Sequence, residues 1–121
     1  MEWEKKARNY WQSCCLSQSF IQLIAQIVGE KYVLFDEEAF KKYGHDETED
    51  FLFYPEVVVL PRAPQEISKI VKLCNEHNIP LTPRGAGTWL SGGALPVNKG
   101  VLLSMERFNE ILEIDERNFQ A

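Results

Sequence analysis

The sequence is poor in most of the features that assign a function quickly. It holds only three cysteines, Cys14, Cys15 and Cys74, and two histidines. An odd cysteine count argues against a disulfide framework. No cysteine or histidine pair near Cys14 and Cys15 stands at zinc-ligand spacing, so three reduced structural thiols are expected and no metal site. There is no excess of positive charge: 13 Lys and Arg stand against 18 Asp and Glu, net charge −5, with the cations scattered. Nucleic-acid binding needs a basic face or stripe, so no nucleic-acid partner is expected. Long hydrophobic runs are missing too. The longest, Phe20 to Val28, is interrupted by Gln22 and Gln26 and is too short to cross a bilayer. Met1-Glu2-Trp3-Glu4-Lys5-Lys6 is not followed by the apolar stretch of a signal peptide. A soluble, cytoplasmic location is the expectation. Internal repeats and low-complexity tracts are also lacking.

What remains is enough for a fold. The 121 residues are 45% hydrophobic and 26% charged, the balance of one small globular domain or part of a larger one. Residues 1–18 read as a polar arm carrying Trp3, Tyr10 and Trp11. A helix follows, with Ser19 and Gln22 spaced as a capping box, Phe20, Ile21, Ile24, Ile27 and Val28 on one face, and Gly29 as its stop. Lys31 to Phe35 alternates as a short strand, and Asp36-Glu37-Glu38 can open another helical turn. The polar stretch Tyr43 to Asp50 reads as a surface loop in which His45 and Asp46, adjacent in sequence, do not form an acid–base pair.

From Pro55 the pattern is regular. Glu56 to Leu60 is a β-branched run between Pro55 and Pro61, the mark of a buried strand. Pro64 opens a helix to about residue 77, with Ile67, Ile70, Val71 and Cys74 on one face. His77 near its end complements the helix dipole. Ile79 to Thr82 predicts a second strand and Val101 to Met105 a third. Asn109 to Ile114 predicts a weaker strand or a turn of helix.

Between the second and third strands lies Pro83-Arg84-Gly85-Ala86-Gly87-Thr88-Trp89-Leu90-Ser91-Gly92-Gly93-Ala94-Leu95-Pro96, which holds four of the seven glycines. Glycines let backbone N–H groups approach another molecule closely. Successive N–H groups in such a turn form a partly positive nest for an anion, phosphate above all. Arg84 adds a guanidinium fork suited to phosphate oxygens. A Walker A loop needs Gly-Lys before Ser or Thr, and no lysine occurs between Lys72 and Lys99. A Rossmann fingerprint needs a third glycine where Leu90 stands, and a kinase loop fails at the same position. On composition alone, phosphate or dinucleotide binding and a plain tight turn remain equal alternatives.

The segments Tyr-Gly-His-Asp-Glu-Thr-Glu, Pro-Glu-Val-Val-Val-Leu-Pro and Pro-Arg-Gly-Ala-Gly-Thr-Trp-Leu-Ser-Gly-Gly-Ala-Leu-Pro follow one another from Tyr43 to Pro96. In that order they resemble the start of the FAD-linked oxidases of the vanillyl-alcohol oxidase and p-cresol methylhydroxylase (PCMH) type. Within that superfamily they are most similar to the glycolate oxidase flavoprotein subunit and D-lactate dehydrogenase branch, over roughly residues 36–118. The resemblance implies an α+β fold, the amino-terminal part of a PCMH-type FAD-binding domain, spanning 19–121 here. Carried over position by position, it implies that FAD is held by Arg84, Gly85, Ala86, Gly87, Thr88, Leu90, Ser91 and Gly92. Thr88 stands where some relatives carry a histidine bonded to the flavin, so noncovalent FAD is implied. Trp89 departs from the small residues usual at its position and would be strained at positive φ.

The family's substrate-binding and metal-ligand residues fall beyond the matched segment, and no convincing acid, base or nucleophile is found within it. The flavin ring itself would carry the hydride chemistry. The implied function is part of a flavoprotein that oxidises a 2-hydroxy acid such as glycolate or D-lactate, inactive as this stretch alone. The implied partners are the rest of that flavoprotein and an iron–sulfur electron-transfer subunit. The alternative is a non-catalytic interaction module that pairs through an exposed strand edge, expected because the strand after residue 101 lacks evident sheet neighbours.

Overall fold

A computed structural model describes residues 16–44, 53–88, 95–96 and 98–121. The arm expected over 1–18 lies almost wholly outside the described residues, as do Cys14, Cys15, His45, Asp46 and Trp89.

Helix α1, Gln18–Val28, buries Phe20, Ile21, Ile24, Ala25 and Val28 on one face. Its cap is Ser17 rather than the expected Ser19. Ser17 is in the extended region, at φ −72° and ψ 146°, and its Oγ accepts from the N–H of Phe20 at 3.3 Å. Ser19 falls inside the first turn, with its hydroxyl 3.2 Å from that of Ser17. Gly29 ends the helix at φ 96°. The N–H of Tyr32 then closes a 3-10 turn on Gly29, so the expected strand over 31–35 shrinks to β1, Val33–Leu34. Asp36 caps α2, Glu37–Tyr43, by accepting from the N–H of Ala39 at 2.8 Å. Tyr43, expected to start a surface loop, is instead buried at the end of this helix.

Strand β2, Val57–Val59, is fully buried. Helix α3, Pro64–Glu76, starts on a proline, and the Glu66 carboxylate reaches back to the N–H groups of Arg62 and Ala63. This satisfies two N–H groups at the helix entry, where Ala63 has no side-chain acceptor to offer the first turn. Cys74 is buried on α3, and burial pushes its thiol up to about 11, as suits a packing group. Strand β3 runs Leu81–Arg84, two residues later than expected, and β4 is Val101–Ser104.

The sheet order is β1-β2-β4-β3, with β1 antiparallel to β2 and the other pairings parallel. The last strand in sequence is therefore an interior one, which corrects the expected exposed edge after residue 101. The β2–α3–β3 crossover leaves a gap one strand wide, and β4 fills it with four buried residues. Side chains alternate across the strand. Val101 and Leu103 join Val57, Val59, Phe20, Ile24 and Ile70 beneath α1 and α3. Leu102 joins Val58, Ala39 and Tyr43 beneath α2. The expected strand or helical turn over 109–114 is not formed: Ile111, Leu112 and Ile114 are exposed, and the chain turns at Asp115, whose backbone pairs with Gln120. A short apolar run with no facing surface has nothing to hold it in regular structure.

The amino-terminal ends of the parallel strands are joined at one glycine. The Gly100 carbonyl accepts from the N–H of Glu56, and the next N–H, of Val101, donates to Pro80. Gly100 has φ 72°, and a Cβ there would collide with the Pro80 carbonyl oxygen. Gly100→Ala is expected to lower stability by about 2–3 kcal/mol, read as a lower urea midpoint with an unchanged m-value.

Candidate cofactor-binding site

Because β2, β4 and β3 run parallel, their carboxyl ends meet at one edge of the sheet, the side on which such sheets receive ligands. The glycine loop leaves the sheet there. The Arg84 carbonyl accepts from the N–H of Met105 at 2.8 Å, extending the ladder one step past β4 and fixing where the loop departs. Gly85, Ala86 and Thr88 are exposed, whereas Gly87 is buried at φ 75°.

Arg84 packs against the loop from inside the protein. Its side chain turns inward and is 7% exposed, on the α2 face of the sheet. Nη1 donates to the Tyr43 carbonyl across a long 3.5 Å, and the guanidinium carbon lies 5.9 Å from the Tyr43 ring centroid. The guanidinium occupies the space a side chain at 87 would need, since a Cβ on Gly87 would collide with Nη2. Gly87 is thus required twice, by its φ and by the cation packed under it.

Tyr43 ties this cation to the rest of the edge. Its hydroxyl donates to Glu106 Oε1 at 2.8 Å, and Glu106 Oε2 lies 3.5 Å from Lys42 Nζ. Burial, and then the bond to Glu106, raise the Tyr43 pKa, so the phenol remains a donor at neutral pH. No carboxylate is within ion-pair distance of Arg84 among the described residues.

Gly85 has the opposite character to Gly87. A Cβ there would meet nothing within 4 Å and the residue is exposed. The described residues do not need glycine at this position, and its bare backbone is open to the approach of another molecule. Of the residues expected to hold FAD, Gly85, Ala86 and Thr88 are exposed where the chain leaves β3, Arg84 and Gly87 are buried beside them, and Leu90, Ser91 and Gly92 lie outside the described residues. Sequence reasoning missed Ser104. It is fully buried at the carboxyl end of β4, in register with Arg84, and its Oγ has no hydrogen-bond partner among the described residues. The available signal was a polar residue closing the apolar run Val101-Leu102-Leu103 at the ligand edge. Among the described residues no group of three or more His, Cys, Asp or Glu could hold a metal, and no helix is long and apolar enough to cross a membrane.

The two glycines separate fold from binding. Gly85→Ala is expected to leave the melting temperature of the free chain within about 2–3 °C of the parent. Gly87→Ala is expected to cost about 1–3 kcal/mol, through the positive φ and displacement of Arg84. Thermal melts followed by circular dichroism read both.

Known proteins resemble this chain in sequence and in fold. Residues 55–121, more than half of the chain, match the FAD binding domain family. A glycolate oxidase subunit GlcD of Bacillus subtilis is 44% identical over 79 residues, 65% of this chain and 17% of that protein. A D-lactate dehydrogenase of Anaerostipes hadrus is 41% identical over 93 residues, 76% of this chain and 20% of that protein. The chain therefore spans about a fifth of the length of these curated relatives. Among solved structures, an alkyldihydroxyacetonephosphate synthase superposes with TM-score 0.75 at 21% identity, covering 86% of this chain and 23% of that one. A substrate-bound p-cresol methylhydroxylase superposes with TM-score 0.69 at 26% identity, covering 84% and 21%. With a matching domain over more than half of its length and a PCMH-type fold, the chain belongs to the FAD binding domain family, has FAD as its cofactor, and is related to glycolate oxidase and D-lactate dehydrogenase.

Proposed function

We propose that the rim Arg84, Gly85, Ala86, Gly87 and Thr88, continued by Leu90, Ser91 and Gly92, holds the pyrophosphate of FAD in a flavoprotein that oxidises a 2-hydroxy acid. The observation that carries the reading is Gly85, an exposed glycine at the carboxyl edge whose missing side chain would meet nothing within 4 Å among the described residues. Its bare backbone suits an anion that must come within hydrogen-bond distance of N–H groups. The buried cation beneath Gly87 supports the same reading, because a charge removed from water raises the potential felt at the loop above it.

When bound, FAD supplies the redox chemistry through its own ring, and the protein supplies position and electrostatics. The chain's own residues do three things. Gly85 and Ala86 leave backbone donors open at the rim, Arg84 sets the sign of the field, and Thr88 places an exposed hydroxyl that can donate to a phosphate oxygen. Thr88 cannot form the flavin bond a histidine could, so the cofactor is held noncovalently. The 2-hydroxy acid substrate class rests on kinship with the glycolate oxidase subunit and the D-lactate dehydrogenase.

Strand-edge pairing has less support. β4 is interior, β1 is two residues long, and β3 carries Pro83, which cannot donate from the edge.

Titration of the isotopically labelled chain with FAD tests the proposal. The amide signals of Gly85, Gly87 and Thr88 are expected to shift in a saturable manner. Gly85→Val is expected to weaken binding on the order of tenfold or more while the rest of the spectrum stays native. Shifts confined to residues away from the carboxyl edge would sink the placement.

A further inference from the structure

The polar group that the fold leaves least explained is the Ser104 hydroxyl. It ends the interior strand, is wholly buried, and makes no hydrogen bond among the described residues. A buried hydroxyl without a partner is costly, and a strand of otherwise aliphatic residues has no structural use for it. Alternation along β4 puts Ser104 on the same face as Leu102, the α2 side, which is also where the registered residue Arg84 turns its guanidinium. Neighbouring strands are about 4.8 Å apart. Two donor side chains therefore start from paired strand positions on one face of the sheet, and among the described residues both are short of acceptors. Arg84 has five N–H groups and makes one long bond there, to Tyr43. Ser104 makes none.

We infer that Ser104 is a binding residue for the diphosphate of the cofactor: its hydroxyl donates to a phosphate oxygen from beneath the glycine loop, beside the Arg84 cation. This rests on the reading of the loop as the FAD pyrophosphate site and extends it from backbone donors on the rim to side-chain donors on the sheet. A pair of donors with a net positive charge selects an anion over a carbonyl or a neutral sugar. A buried water could also satisfy the hydroxyl, and the two occupants leave different signatures on removal of Oγ. If water fills the place, the hydroxyl supports the free fold. If phosphate fills it, the free fold carries an unmet donor that alanine removes at no loss.

The test compares the parent chain, Ser104→Ala and Ser104→Cys for binding of FAD and of ADP by calorimetry, together with the melting temperature of each free protein. Ser104→Ala is expected to melt at the parent temperature or above, and to bind both FAD and ADP about tenfold more weakly or worse, as for loss of a hydrogen bond to a charged group. Ser104→Cys keeps the volume with a poorer donor, and its affinity is expected to fall between the two. Unchanged affinity in Ser104→Ala overturns the inference. So does a lower melting temperature with affinity intact, which identifies a structural hydroxyl bonded to water. Failure of the underlying reading looks different: the parent itself binds neither FAD nor ADP, and the inference falls with it.

Discussion

Arg84 carries a permanent charge into a space nearly closed to water, and the geometry of the loop follows from how that charge is accommodated. A buried charge of this kind must be met by dipoles, a ring face or an anion. The protein offers one long bond from the Tyr43 carbonyl and the face of the Tyr43 ring. Accepting those partners requires Gly87 to lack a side chain and α2 to end where it does, with Tyr43 anchored through its hydroxyl to Glu106. Helix, loop and the segment after β4 are thus held in register around one buried cation that makes a single long hydrogen bond among the described residues. This geometry leaves the rim glycine, Gly85, with its backbone bare.

Much of this arrangement was legible in the residues. Periodicity located α1 and α3, and the β-branched run before Pro61 located β2, because burial on a helical stripe or in a sheet leaves a repeating pattern. The turn after β3 was legible from its glycines, and the chain's cofactor from the order of three motifs. The strand order was not. Nothing in Val101-Leu102-Leu103-Ser104 says that it inserts between two strands already joined by a crossover; continuous hydrophobicity signals burial without naming neighbours.

The misjudged residues share a cause. Tyr43 was assigned to a polar loop because the residues after it are charged, yet its own ring is held by contacts to residues 84 and 106, far along the chain. Arg84 was read only as a guanidinium beside the loop; a long-range carbonyl and an aromatic ring decide that it lies buried there. Ser104 gave no motif at all, and only its burial makes it conspicuous. At this edge, local chemistry identified the residue types and tertiary contacts decided their direction.

The interior position of β4 has a consequence for how the molecule comes into being. β2 and β3 never touch each other; each meets only the strand made after both of them. Until residues 101–104 have emerged, a growing chain can form α1, α3 and the small β1–β2 ladder, but no parallel pairing. Closure of the sheet and appearance of the ligand edge are therefore the same event, late in synthesis and dependent on contacts distant in sequence. A nascent chain that stalls before Val101 would expose two unpaired strand flanks and carry no vestige of the site.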